Sequence, residues 1–333
     1  MPDAQGARAT GVGSWPGTDV AEALRVVTGL LPDLPHQPEL PGRGPGSDLV
    51  GRAAARLVDL PVDLQPSGWR LVDRPGRDQA RADAFWREDL DRLAHALDGW
   101  SGPLKVQLAG PYTLCAALWL PRGDRAVSDH GARRDLVASS AAAVQQLVAD
   151  VVRLVPAAQV VVQLDEPSLP AVVSGRLRSA SGFGLLRAVP PAEVREGLTA
   201  VLAAARAAGA STVVHCCADE VPLGLLHQAG AEAISVETAL LSHADWDTVA
   251  EAVEAGTRLW AGVLPTSGDL PSAAEAAGRL ARAWSDVGLT AERLREVVVT
   301  PACGLAGSDP AQARAVLERA GEVARALTDL STA

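Results

Sequence analysis

The segments STVVHCC, AISVET and VVVTPACG carry His215, Cys217, Glu237 and Cys303. Each segment reads as a short buried strand, with its metal-competent side chain at or just past the C-terminal end. One imidazole, two thiolates and one carboxylate make a four-ligand set suited to zinc. Strand side chains alternate between faces, so His215 and Cys217 point the same way and Cys216 points the other. The pair can present one nitrogen and one sulfur to a single ion, which leaves Cys216 as a small buried hydrophobe.

Such a ligand set implies a particular chemistry. A free thiol titrates near pKa about 8.5 and is mostly protonated at neutral pH. Bound to a metal ion it is deprotonated outright. Hydrolytic zinc sites usually rely on neutral imidazoles to make their bound water acidic. Two thiolates and a carboxylate instead keep a bound sulfur electron-rich, which favours alkyl transfer to a thiol over hydrolysis. Two carboxylates, Asp165 and Glu166, close the run QVVVQL. Asp165 suits an α-ammonium group, with Glu39 as a second candidate. Such Asp-Glu pairs often split into one salt-bridged and one solvated carboxylate. Ser14, on a Gly-Val-Gly-Ser turn, suits a carboxylate.

These residues need strands to position them. Eight strand candidates run along the chain: ATGVGSW, VDLQPSGWRLV, PLKVQLAG, QVVVQLDEP, STVVHCC, AISVET, RLWAGVLP and EVVVTPACG. Continuous apolar runs predict strands buried on both faces, as in parallel sheets. Amphipathic Ala/Leu/Arg-rich helices lie between them, several stopped by Gly and one opened by Pro190 and Pro191. A last helix over 309–328 begins with an Asp cap and a proline. Eight alternating units in 333 residues predict a single-domain (β/α)₈ TIM barrel, whose active sites lie at the C-terminal ends of the strands. A doubly wound open sheet is the alternative, but no glycine-rich dinucleotide fingerprint follows the first strand. Residues 32–76, dense in Pro and Gly, read as an insertion after the first strand and a possible lid.

Composition narrows the partners. Hydrophobic residues make up 48% of the chain, enough for a large core, and the net charge is −10. That charge argues against sequence-independent binding to nucleic acid or to an anionic membrane. No apolar run reads as long enough to span a bilayer, because Arg153 and Pro156 break VVRLVPAAQVVVQL. The four cysteines are not a disulfide framework, and no N-terminal targeting pattern is present, so a reducing cytoplasmic setting is expected. Lys105 is the sole lysine and reads as a composition bias rather than as function.

Taken together, VVHCC, ISVET and VTPACGL resemble the zinc-site segments of cobalamin-independent methionine synthase in order and approximate spacing. VQLDEPSLP, GVGSWP and LAGPYTL resemble further stretches of the catalytic C-terminal barrel of that family, and the likeness runs from about residue 10 to 320. The resemblance implies zinc on His215, Cys217, Glu237 and Cys303, with Ser14 and Asp165 holding the amino-acid part of homocysteine. It implies methyl transfer to homocysteine to give methionine. The chain departs from the family in three places. The length fits one barrel, not two, so the barrel that helps bind a folate donor is missing. A family histidine after the seventh strand is replaced within LPTSGDLPS by Thr266 or Ser267, and an acidic residue before the last cysteine is Ala302. The methyl donor is therefore either methylcobalamin, free or on a corrinoid protein, or methyltetrahydrofolate. A polyanionic folate tail would need Arg43, Arg52 or Arg70 gathered at the mouth. The short single-barrel relatives favour the corrinoid. The alternatives are a zinc alkyltransferase for another thiol such as coenzyme M, a barrel of the uroporphyrinogen decarboxylase type, and a non-catalytic zinc-binding homologue.

Overall fold

In the computed structural model of the protein, which describes residues 6–332, seven parallel strands form one curled sheet. They are β1 (Arg8–Ala9), β4 (Gly102–Ala109), β5 (Ala158–Asp165), β6 (Ser211–Cys216), β7 (Ala233–Glu237), β8 (Arg258–Leu264) and β9 (Val298–Pro301), in spatial order β1-β9-β8-β7-β6-β5-β4. An antiparallel pair, β2 (Val62–Gln65) and β3 (Gly68–Leu71), lies outside this sheet.

The open seam between β1 and β4 is filled by residues 35–39. On one side Gln37 N donates to Lys105 O at 2.9 Å and Lys105 N to Pro35 O at 2.9 Å. On the other side Trp15 N donates to Glu39 O at 2.8 Å and Glu39 N to Gly13 O at 3.1 Å. This segment holds the second position of a TIM barrel. The expected second strand, VDLQPSGWRLV, is instead the β2–β3 hairpin, turned at Pro66 and Ser67. The Pro/Gly-rich stretch therefore contributes a barrel strand before it leaves the sheet. The chain then forms a short helix (Leu49–Ala55) and the hairpin. Leu71 N donates to Trp119 O and Trp119 N donates to Trp69 O, both at 2.9 Å, which ties the hairpin to the loop after β4.

Strand alternation separates two cores. Val160, Val162, Leu164, Val214, Ile234, Val236, Leu259, Ala261 and Val299 join the main apolar core with the surrounding helices. The opposite faces supply a second cluster inside the barrel: Leu34, Val161, Val213, Ala233, Trp260 and Val298. One inward step further along each strand, the residues become polar: Gln163 after Val161, His215 after Val213, Ser235 after Ala233. The barrel thus has a dry floor and a polar layer above it, and the site lies on that layer.

The helices form where periodicity and caps agree. Asp19 accepts from the N–H groups of Ala21 and Glu22 to start Val20–Leu30, and Asp309 does the same for Pro310–Leu330 through the N–H groups of Ala311 and Gln312. Gly209 and Gly256 follow two helices at φ +92° and +99°, which lets the chain turn back into the next strand without a Cβ clash. By length and composition alone, the helix His130–Leu154 is apolar enough to cross a membrane. Here it lays Leu136, Val144, Leu147, Val148 and Val151 into the core.

Candidate metal centre

Two strands that the chain places far apart, β6 and β9, bring their ends together across the barrel mouth. His215 is in register with Asp165 on one neighbour and with Ser235 on the other. Cys217 follows the end of β6, and Cys303 follows β9. The ligand atoms of His215, Cys217 and Cys303 all lie within 4.8 Å of one another. The two sulfurs are 2.8 Å apart, well beyond the roughly 2.05 Å of a disulfide bond, and both cysteines are free.

The details suit a metal. His215 is 2% exposed, and its Nδ1 meets the Ser235 hydroxyl at 3.0 Å. With the proton on Nδ1, the Nε2 lone pair is free, and Nε2 is buried without a hydrogen-bond partner. An outer-shell hydroxyl on the far ring nitrogen is the arrangement that fixes the tautomer of a metal-ligating histidine. Among the cysteines, the hydrogen bond from Cys217 and the nearby His215 draw Cys303 well below the ordinary thiol range, against the cost of burial. Sharing that proton, together with burial, pushes Cys217 upward. The lowered thiol, Cys303, is the one readier to serve as a thiolate, the form in which a cysteine binds zinc.

Glu237, the fourth expected ligand, ends β7 at the same mouth, half-buried. Its carboxylate lies outside the three-residue cluster. Burial and then the Cys303 charge push its carboxyl above the usual range. It borders a cavity of about 350 Å³ that reaches Trp246, Arg279 and Ala302.

The expected substrate-binding residues surround this centre. Asp165 ends β5, 6% exposed, and accepts from Gln163 Nε2 at 2.7 Å. Burial, then the negative charge of Glu39, holds its carboxyl well above the usual range, while Lys105 and Gln163 pull it down. Glu39, 4% exposed, accepts from Gln107 Nε2 at 3.1 Å. Ser14 bridges to Glu39 on one side and accepts from Ala306 N at 3.4 Å on the other. Gly304, next to Cys303, permits this approach, since a Cβ there would lie 2.1 Å from the Ser14 hydroxyl.

Several residues turn out differently from expectation. Glu166 is neither salt-bridged nor solvated. It is fully buried, accepts from Tyr112 N, Thr113 N and Thr113 Oγ1 at 3.0, 2.7 and 2.8 Å, and so caps the helix Pro111–Ala117. Arg43 and Arg52 are engaged by carboxylates rather than left free for an anionic tail. Both reach Asp89, at 2.7 and 3.2 Å, and Arg52 also lies 3.7 Å from Glu39 and over Trp86 at 4.4 Å. Sequence reasoning misses Lys105, Gln107, Gln163 and Ser235, although all four are buried beneath or beside the site. A signal exists: alternation along KVQ and VQLD puts these polar side chains inward, within otherwise apolar strands.

The wider likeness agrees with this geometry. A model of the catalytic domain of the cobalamin-independent synthases matches residues 100–326, which include Asp165, His215, Cys217, Glu237 and Cys303 but not Ser14 or Glu39. A search of curated proteins found no match. Among solved structures, a B12-independent methionine synthase from a Shewanella species, in complex with selenomethionine, superposes with a TM-score of 0.66 at 13% identity. It covers 97% of this chain and 98% of its own. A putative vitamin-B12-independent methionine synthase from Listeria monocytogenes gives 0.64 at 12% identity, covering 95% and 96%. At these identities the structures speak for the barrel alone, while the family match spans more than half of the sequence. The chain belongs to the cobalamin-independent methionine synthase family, as a form of its catalytic barrel.

Proposed function

We propose that this protein is a zinc-dependent methyltransferase that passes a methyl group to the thiol of homocysteine, giving methionine. The observation that carries this reading is the convergence of His215, Cys217 and Cys303 within 4.8 Å at the mouth of a barrel whose next strand ends in a buried carboxylate, Asp165. A zinc ion held there would supply a Lewis acid that strips the proton from a substrate thiol and leaves a nucleophilic sulfur.

The protein's own residues do the rest. Cys217 and Cys303 would hold the metal as thiolates, and the Ser235 hydroxyl beside Nδ1 would keep His215 in the ligating tautomer. Glu237, whose carboxylate lies outside the cluster, would be the fourth ligand and the one a substrate thiol would replace. Asp165 and Glu39 receive the α-ammonium group, whose positive charge relieves the cost of burying carboxylates. Ser14 and nearby backbone N–H groups take the α-carboxylate. A reducing, cytoplasmic setting keeps the two cysteines as thiols.

For the donor we place a methylated corrinoid, free or protein-bound, ahead of methyltetrahydrofolate. Arg43 and Arg52, which a folate with its glutamate tail would call on, are already engaged by Asp89. The test is methyl transfer to homocysteine, run with zinc-loaded and chelator-treated protein. Methionine formed only by the loaded protein is expected. Equal turnover by both would show that zinc has no part in the reaction.

A further inference from the structure

The sole lysine of the chain has a partner for each of its three donors. Lys105, on β4, is 0% exposed and points into the polar layer of the barrel. Its ammonium has three donors and no acceptor. They go to Val12 O at 2.6 Å, Gln163 Oε1 at 3.0 Å and Gln107 Oε1 at 3.2 Å.

Those bonds decide the orientation of both amides. A group that only donates must face the oxygen of each glutamine, so each NH₂ has to point away from the lysine. Gln163 Nε2 then donates to Val12 O at 2.8 Å and to Asp165 Oδ1 at 2.7 Å. Gln107 Nε2 donates to Gln37 O at 2.7 Å and to Glu39 Oε1 at 3.1 Å. All donors of the three side chains are used, and both glutamines are buried, at 1% exposure or less. One ammonium therefore sets two amides, and the two amides set two carboxylates on different walls of the barrel.

We propose that Lys105 is a positioning residue for the amino end of the substrate: through Gln163 and Gln107 it holds Asp165 and Glu39 in the orientation that receives an α-ammonium group. The composition bias that leaves a single lysine in the chain does not explain why it stands here. This inference rests on the reading of the site as one for an amino-acid thiol. Without the lysine, each amide oxygen loses the donor that faces it, and each amide is held only by its NH₂ bonds to one backbone carbonyl and one carboxylate, so its grip on Asp165 or Glu39 loosens.

The experiment measures binding of two thiols to cobalt-substituted protein by sulfur-to-metal absorption: homocysteine, and 4-mercaptobutanoate, which lacks only the amino group. A charge-assisted hydrogen bond lost from a buried site corresponds to a factor of about 10 to 100 in affinity, so the wild type should prefer homocysteine by at least about tenfold. In Lys105→Met the preference should shrink to within about threefold. Metal content and the affinity for 4-mercaptobutanoate should hold, which a general loosening of the barrel would not allow. If Lys105→Met does not fold, Gln163→Met and Gln107→Met each cut one arm and should each lower the preference. A preference that survives in the lysine variant, or in both glutamine variants, overturns the inference. A wild type with no preference for the amino thiol sinks the substrate reading first and the inference with it.

Discussion

Cys217 and Cys303 lie 86 positions apart in the chain, yet their sulfurs stand 2.8 Å from each other at the ends of strands on opposite sides of β7 and β8. Only closure of the sheet brings them together, because the chain loops after β6 and β9 both turn in over the barrel mouth. The thiol pair and the buried Nε2 of His215 form a soft ligand set that nothing else in the core requires.

Replacing Cys303 by Ser should therefore empty the site and leave the barrel folded. Loss of a direct ligand should cost more than the roughly 10–100-fold that loss of an outer-shell partner costs. Elemental analysis after dialysis would show zinc near one equivalent in the wild type and little in the variant. Circular dichroism should be unchanged.

Ser235→Ala tests the support behind His215. Its hydroxyl is the partner of Nδ1 at 3.0 Å, so its removal frees the ring to change tautomer. Zinc affinity should fall by about 10–100-fold, measured by competition with a chelator. An unchanged affinity would show that the hydroxyl does not orient the ring.

Much of this site is legible in the chain. The runs STVVHCC and VVVTPACG are apolar enough to declare buried strands, so their polar ends stand out. The second strand is not legible, because Pro35 and Pro38 have no N–H to give and the pairing rests on four bonds at the edges of a proline-rich stretch. VDLQPSGWRLV misleads for the opposite reason. Its β-like residues are real, but Pro66-Ser67-Gly68 folds them into a hairpin. The polar layer is hard to see, since Lys105 and Gln163 differ from their strand neighbours only by face. Glu237 is legible as a carboxylate at a strand end, but the sequence does not show that its carboxylate lies outside the cluster of His215, Cys217 and Cys303.

Glu166 predicts a pH dependence of stability. Burial raises its carboxyl from 4.5 to about 7, against the hydrogen bonds of Tyr112 and Thr113. Between those values the folded state binds more protons than the unfolded state, so stability falls as pH rises. This contribution is fully present below pH 4.5 and is lost as pH passes 7. Denaturant titrations of wild type and Glu166→Gln should converge toward acid, where the protonated carboxyl and the amide are alike, and diverge as pH rises past 7, by up to about 3 kcal/mol in favour of the amide. Parallel pH profiles would contradict this assignment.

The donor assignment predicts that methylcobalamin, free or on a corrinoid protein, supports faster methylation of homocysteine than methyltetrahydrofolate does. Shortening the β2–β3 hairpin, which is tied to the loop after β4, should slow turnover more than it lowers zinc content. Faster turnover with methyltetrahydrofolate than with any methylated corrinoid would reverse the assignment.

The central claim is that a substrate thiol binds the metal held by Cys217 and Cys303. X-ray absorption at the zinc edge, recorded on purified protein before and after homocysteine is added, counts the sulfurs directly. Two sulfur ligands should rise to three, with zinc–sulfur distances of about 2.3 Å. A sulfur count that stays at two with saturating homocysteine, or protein that binds no zinc at all, would contradict it.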